Sequence, residues 1–282
     1  MKLASYTVGA RSTFGVVTSD GIIDATRCLG GRFFSLRQAL AADALDEVWR
    51  ATAGQAPDHK LSDVKFLPVV PDPQRIVCVG INYRSHAEET GRDISPAPSV
   101  FLRLADTLVG HGGALVRPSV SHMFDFEGEL AVVIGRPGRH IAQADALQHI
   151  AGYTCFVDGS VRDYQKISVT SGKNFPATGP LGPWIVTTDE IADPTRLMLT
   201  TRLNGQEVQK SATDLLIYSV PQIIAFCSDF TPLLPGDVIA TGTPDGVGHR
   251  RNPPLWMKPG DVLEVEIPGI GTLRNRVVDE QS

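Results

Sequence analysis

Cysteine is scarce in this chain. Cys28, Cys78, Cys155 and Cys227 are four thiols in 282 residues, widely scattered and without a Cys-x-x-Cys spacing. They fit reduced core thiols better than a disulfide framework or a zinc site. Basic runs are missing too. With a net charge of -5 and no basic patch interleaved with aromatics, there is no electrostatic footprint for nucleic acid. No apolar run approaches the ~20 residues that a bilayer span needs, and residues 1–11 lack the charged-then-apolar layout of a secretory leader. A cytoplasmic protein with no membrane partner is therefore expected. Fixed-period repeats and low-complexity segments are also absent, which excludes solenoid and linker-rich architectures.

What the chain has in quantity is punctuation. Its 27 glycines and 20 prolines separate short apolar runs throughout, the pattern of many strands and turns rather than a helical bundle. Residues 1–24 read as a small antiparallel meander, and 35–53 as one or two amphipathic helices. Pro68, Pro71 and Pro73 mark a stiff connection. The expected division is a small N-terminal α+β domain over 1–71 and a larger catalytic domain over 72–282. In the second part, strands are expected at 76–79, 99–103, 130–134, 152–158, 184–187, 197–203, 238–240, 262–267 and 272–278. Helices are expected over 82–89, 142–149 and 213–229. Residues 110–116 read as a glycine-rich loop, and 163–175 as a loop, bare or built around a short helix. The fold class is α+β and β-rich, without the regular strand-helix alternation of a doubly wound sheet.

Three constellations carry chemistry. Glu127 and Glu129, in Phe126-Glu127-Gly128-Glu129-Leu130, sit two residues apart on a strand-like stretch, so both carboxylates point to one face. Like charges that close call for a cation between them or for a proton; solvated acids on an edge strand give the same pattern. Asp158, ending an apolar run, is the natural third carboxylate, and three carboxylates suit a hard cation better than zinc. An Asp-Gly turn also fits Asp158-Gly159. His86 and Glu89 lie three apart on the expected helix, so the carboxylate can orient the imidazole as a general base. A surface pair looks the same in sequence. Lys173 offers a positive charge to a developing oxyanion, or is a solvated lysine. Finally, Thr241-Gly242-Thr243-Pro244-Asp245-Gly246-Val247-Gly248 follows a strand and can cradle an anion with its amides and hydroxyls, or simply turn.

Taken together, several motifs resemble the fumarylacetoacetate hydrolase family, acylpyruvate hydrolase-like subgroup. They are Cys78-Val79-Gly80-Ile81-Asn82-Tyr83 with His86 and Glu89, the Glu127–Glu129 segment, residues 158–165, Gly182-Pro183-Trp184, Leu234-Pro235-Gly236-Asp237 and Thr241-Gly242-Thr243-Pro244. The resemblance covers about residues 73–278. It implies a mixed β-sheet roll, a homodimer, and Glu127, Glu129 and Asp158 as ligands of Mg2+, or of Mn2+ or Ca2+. It further implies His86 and Glu89 as the water-activating pair, with Lys173 as a third catalytic group. Tyr83, Arg162, Gln165, Gly242 and Thr243 are implied to contact a small 2-oxo or diketo acid. The expected reaction is cleavage of a carbon-carbon bond in an acylpyruvate or 2,4-diketo acid, giving pyruvate and a carboxylate. Decarboxylation, hydration or isomerisation of a 2-oxo acid through the same enolate is the alternative. Three positions depart from the family pattern: Val157 replaces an Asn, Pro176 a common Asp, and Ala212 a common Asn. The last two bear on substrate identity.

Overall fold

The computed structural model describes residues 1–191 and 193–281. The chain opens with strands β1 (Lys2–Val8), β2 (Arg11–Val17) and β3 (Ile22–Asp24), then helices α1 (Leu36–Ala41) and α2 (Leu45–Thr52). β4 (Ile76–Val79), α3 (Arg84–Thr90), β5 (Val100–Arg103), β6 (Ala114–Arg117), β7 (Gly128–Ile134) and β8 (Ile150–Val157) follow. Two short helices, α4 (Arg162–Gln165) and α5 (Val169–Lys173), precede β9 (Gly179–Thr187), β10 (Met198–Leu203) and β11 (Gln206–Ala212). The chain ends with α6 (Val220–Phe230), β12 (Val238–Ala240), β13 (Val262–Ile267) and β14 (Gly271–Asp279).

Nine of these strands form one mixed sheet in the order β3-β2-β1-β9-β8-β7-β12-β4-β5, and the strands Lys65–Phe66 and Leu108–Val109 pair with β1 and β9 to make eleven. A second sheet of five runs β11-β10-β13-β14-β6. The fold is thus strand-rich and mixed α/β, as expected. β7 explains how the layers stack. Every residue in it is buried, and alternation sends Leu130, Val132 and Ile134 into one apolar cluster and Ala131 and Val133 into another. The leading segment also contributes to the second cluster through Leu3, Phe14 and Leu36.

Some local expectations change. The glycine-rich loop gives way at Ala114 to β6, which pairs in parallel with β14, because Leu115 enters the core. The segment over 213–229 splits into a short turn of helix at Thr213–Leu215 and α6, whose capping box at Ser219 and Gln222 and Pro221 in the first turn fix its start. No helix among the described residues is long and apolar enough to cross a membrane.

Candidate active site

Strand pairing assembles the acidic triad. β7 and β8 run antiparallel with Gly128 opposite Val157 and Glu129 opposite Phe156, and Asp158 N donates to Glu127 O at 2.9 Å. Glu127, at the entry to β7, therefore faces Asp158, at the exit from β8. Gly128 between the two glutamates is forced by packing, since a Cβ there would lie 2.1 Å from Thr201 Oγ1 on β10. Carboxylate oxygens of Glu127, Glu129 and Asp158 all lie within 4.8 Å of one another, and all three residues are buried.

Charges compensate this triad unevenly. Lys173 Nζ sits 2.6 Å from Glu127 Oε2 and also donates to Asp158. Arg162 reaches Glu127 Oε1 at 2.6 Å, and Arg103 reaches Asp158 Oδ1 at 2.5 Å. Glu129 has no cation partner among the described residues and accepts only the Gly242 amide at 2.8 Å. Burial raises the Glu129 carboxyl well above its ordinary range, and the charges of Asp158 and Glu127 add to the rise. Burial would raise Glu127 too, but Lys173, Arg162 and His86 hold it well below that range. Burial would lower the Lys173 ammonium, and Asp158 and Glu127 outweigh that effect and raise it. Lys173 is 2% exposed, so it is no solvated surface lysine. An all-oxygen, three-carboxylate group with one uncompensated acid is a donor set able to hold a hard divalent cation.

The triad forms one wall of a cavity of about 80 Å3 that is also lined by His86, Arg162, Gln165, Lys173 and Thr243. His86 Nδ1 lies 3.0 Å from Glu89 Oε2, and Glu89 Oε1 accepts the Gly246 amide at 2.9 Å. The start of α3 is fixed by Asn82, whose amide donates to Tyr218 O and Thr241 O at 3.0 and 2.7 Å. Ile81, just before it, lines the cavity with φ at +62°, a left-handed conformation that a β-branched residue adopts at a cost of roughly 1–3 kcal/mol.

Other expected residues take particular places. Arg162 is a clamp, with Nε 2.7 Å from Asp125 Oδ2 and a further nitrogen 2.8 Å from Gln165 Oε1. The 241–248 turn does cradle anions, but they are the protein's own. Gly242, Gly246 and Gly248 donate to Glu129, Glu89 and Asp125 respectively. The Thr243 hydroxyl donates to Gly128 O at 2.9 Å. Tyr83 is buried behind Glu129, which adds to the burial that raises its phenol, and its hydroxyl has no partner among the described residues. Residues 163–175 fold as α4 and α5 in close contact: a Cβ on Gly172 would lie 2.4 Å from Gln165 Cα. That approach brings Arg162, Gln165 and Lys173 to one wall.

Arg103, Asp125 and His249 belong to the site and were not expected there. Arg103 is buried across from Asp158, and Asp125 lies under Arg162 and His249. Asp125 had a legible signal, because it continues the i, i+2 alternation of Glu127 and Glu129.

Comparison with known proteins gives the family of the chain. The profile for the fumarylacetoacetate (FAA) hydrolase C-terminal region matches residues 75–278. The chain belongs to the fumarylacetoacetate hydrolase family. Human oxaloacetate tautomerase FAHD2A, mitochondrial, is 42% identical over 233 residues, covering 81% of this chain and 74% of the human protein. The structure of the fumarylacetoacetate hydrolase from psychrophilic Exiguobacterium antarcticum superposes with a TM-score of 0.87 at 34% identity, over 99% of this chain and all (100%) of that one. Maleylpyruvate hydrolase from Sphingobium sp. SYK-6, solved with manganese(II) ion and pyruvate, gives a TM-score of 0.84 at 29% identity, with 100% of both chains covered.

Proposed function

We propose that this family member is a divalent-metal-dependent enzyme that hydrolyses the carbon-carbon bond of an acylpyruvate or 2,4-diketo acid to pyruvate and a carboxylate. The observation that carries the reading is the His86–Glu89 pair opening onto the same cavity as the buried triad. Mg2+, or Mn2+ or Ca2+, held by Glu127, Glu129 and Asp158 would supply Lewis acidity to the 2-oxo carboxylate end of the substrate. Glu89 takes the Nδ1 side of His86, leaving Nε2 to accept a proton from water. Lys173 offsets negative charge beside the triad. Arg162, Gln165 and Thr243 border the substrate, while Gly242 acts through its amide on Glu129 and Tyr83 is buried near the same carboxylate.

A second reading, keto-enol isomerisation or decarboxylation of a 2-oxo dicarboxylic acid, is favoured by Arg92 and Arg250. Both line the cavity, and neither has a carboxylate partner among the described residues. The human relative is named for oxaloacetate chemistry. A panel of acylpyruvates, diketo sugar acids and oxaloacetate with Mg2+, read by pyruvate release and by enol absorbance, separates the two. Full turnover in excess chelator, or in Glu127→Ala, would refute both.

The same reading includes a homodimer, supported by exposed Leu102 on the edge strand β5 and Leu104 just after it, and checked by light scattering. It includes a cytoplasmic location, supported by four free cysteines. A catalytic domain over 72–282 is supported by the profile match that begins at residue 75.

A further inference from the structure

A second histidine-carboxylate pair borders the cavity. His249 Nδ1 lies 3.1 Å from Asp125 Oδ2, as His86 Nδ1 lies 3.0 Å from Glu89. Both carboxylates hang from one turn, Glu89 on the Gly246 amide and Asp125 on the Gly248 amide. Asp125 is buried and already accepts from the amides of Phe126, Gly248 and His249 and from Arg162 Nε. A carboxylate so surrounded is an acceptor only, so Nδ1 is the nitrogen of His249 that carries hydrogen toward it. Nε2 then points away from Asp125, and no described residue bonds to it.

A purely structural role leaves the side chain unexplained. The turn is already anchored to Asp125 by two backbone amides, Gly248 N at 2.8 Å and His249 N at 3.1 Å. The two imidazoles also differ in access: the His249 side chain is 23% exposed and that of His86 is 7% exposed. His249 is thus the ring more open to solvent and His86 the more enclosed.

We propose that His249, oriented by Asp125, is a second proton carrier of the site, which protonates the enolate carbon while His86 serves as the base. This rests on the enolate reading given above. In the hydrolytic reaction His86 takes a proton from water as the oxygen-carbon bond forms at the distal carbonyl. The carbon-carbon bond breaks, and its electron pair becomes the double bond of the pyruvate enolate. That pair then takes the Nε2 proton of His249, which enters this step as the imidazolium with its Nδ1 hydrogen kept on Asp125; the 2-oxo group re-forms, and pyruvate leaves. His86 returns its proton to solvent, His249 regains one from solvent, and the new carboxylic acid ionises, so atoms and charge balance.

The test compares the wild-type enzyme with His249→Asn and His249→Ala, in Mg2+, on an acylpyruvate that the wild type cleaves. An Asn amide can still donate to Asp125 but has nothing in the place of Nε2. Both variants should lose about 100-fold in kcat, within the span of one general acid-base group, while KM changes by no more than about threefold. Added imidazole should restore turnover to His249→Ala in a saturable way. His249→Asn at the wild-type kcat, beside an inactive His86→Ala, would overturn the second carrier and leave the enolate reading standing. A loss in His249→Ala that imidazole does not restore, matched by a lowered melting temperature, would overturn it as well. Absence of wild-type turnover on the whole 2-oxo acid panel would sink the enolate reading and this inference with it.

Discussion

Replacing Arg103 with Met tests whether the acidic site is held together by buried charge. Arg103 is 3% exposed. Its guanidinium donates to Asp158 Oδ1 at 2.5 Å, to Gly159 O at 3.0 Å and to Thr178 Oγ1 at 2.7 Å. Met fills similar space but leaves the Asp158 carboxylate with Lys173 as its remaining cation, which already serves Glu127. Removing one partner of a buried pair costs about 3–5 kcal/mol, a large part of the 5–15 kcal/mol typical of a folded domain. The melting temperature should fall by on the order of 10 °C. The assay is thermal and urea unfolding in excess chelator, so that bound metal does not mask the loss. Arg103→Met with Asp158→Asn should cost less than the sum of the two single changes, because the double variant buries no unpaired charge. A loss under about 1 kcal/mol in Arg103→Met, or strict additivity in the cycle, would refute the reasoning.

Other outcomes follow from the same site. Burial, then Asp158 and Glu127, raise the Glu129 carboxyl, so above the ordinary carboxylate range the folded chain holds a proton that the unfolded chain has released. Metal-free stability therefore falls as pH rises toward the raised value. Glu129→Gln should flatten that slope in urea titrations, being more stable than wild type at pH 8 and little different at pH 4. Mg2+ or Mn2+ at a hundredfold excess over its Kd should stabilise the wild type by about 2.7 kcal/mol, and Glu127→Ala should lose that gain in thermal shift. His86→Ala should lower kcat by about 10²–10⁴-fold, measured by pyruvate release. Gly172→Ala pushes a Cβ into the Gln165 backbone at 2.4–2.5 Å; a loss of about 1–3 kcal/mol is expected, with a raised KM as α4 moves away.

The candidate site was legible where chemistry follows local spacing. Two carboxylates at i and i+2 and a His and Glu at i and i+3 meet because strand and helix periodicity require it, and Asp158 sits where a strand ends. Arg103 gave no such signal, since its contact with Asp158 spans 55 residues and depends on β5 lying at the far edge of the sheet. The turn at 241–248 was legible as an anion cradle, but not which anions it holds, because Glu89 and Asp125 arrive from distant segments. Its residues alone left Lys173 either a charge for an oxyanion or a solvated lysine, because its helix is only five residues long and carries no apolar stripe. The β6 strand was masked by glycines that belong to the turn before it. Its partner β14 lies at the other end of the chain.

β1 lies against β9 in the large sheet. Lys2 and Leu3 pair with Val186 and Ile185, so the leading segment caps what would otherwise be an open ribbon edge of the large sheet. A bare edge of that kind is a template for pairing with other chains. Cutting away residues 1–66 would uncover apolar Ile185 and leave the backbone groups that Ile185 and Val186 turn toward β1 without partners. The leading segment covers that edge, and a shortened chain should cloud in solution even though every residue lining the acidic cavity is still present.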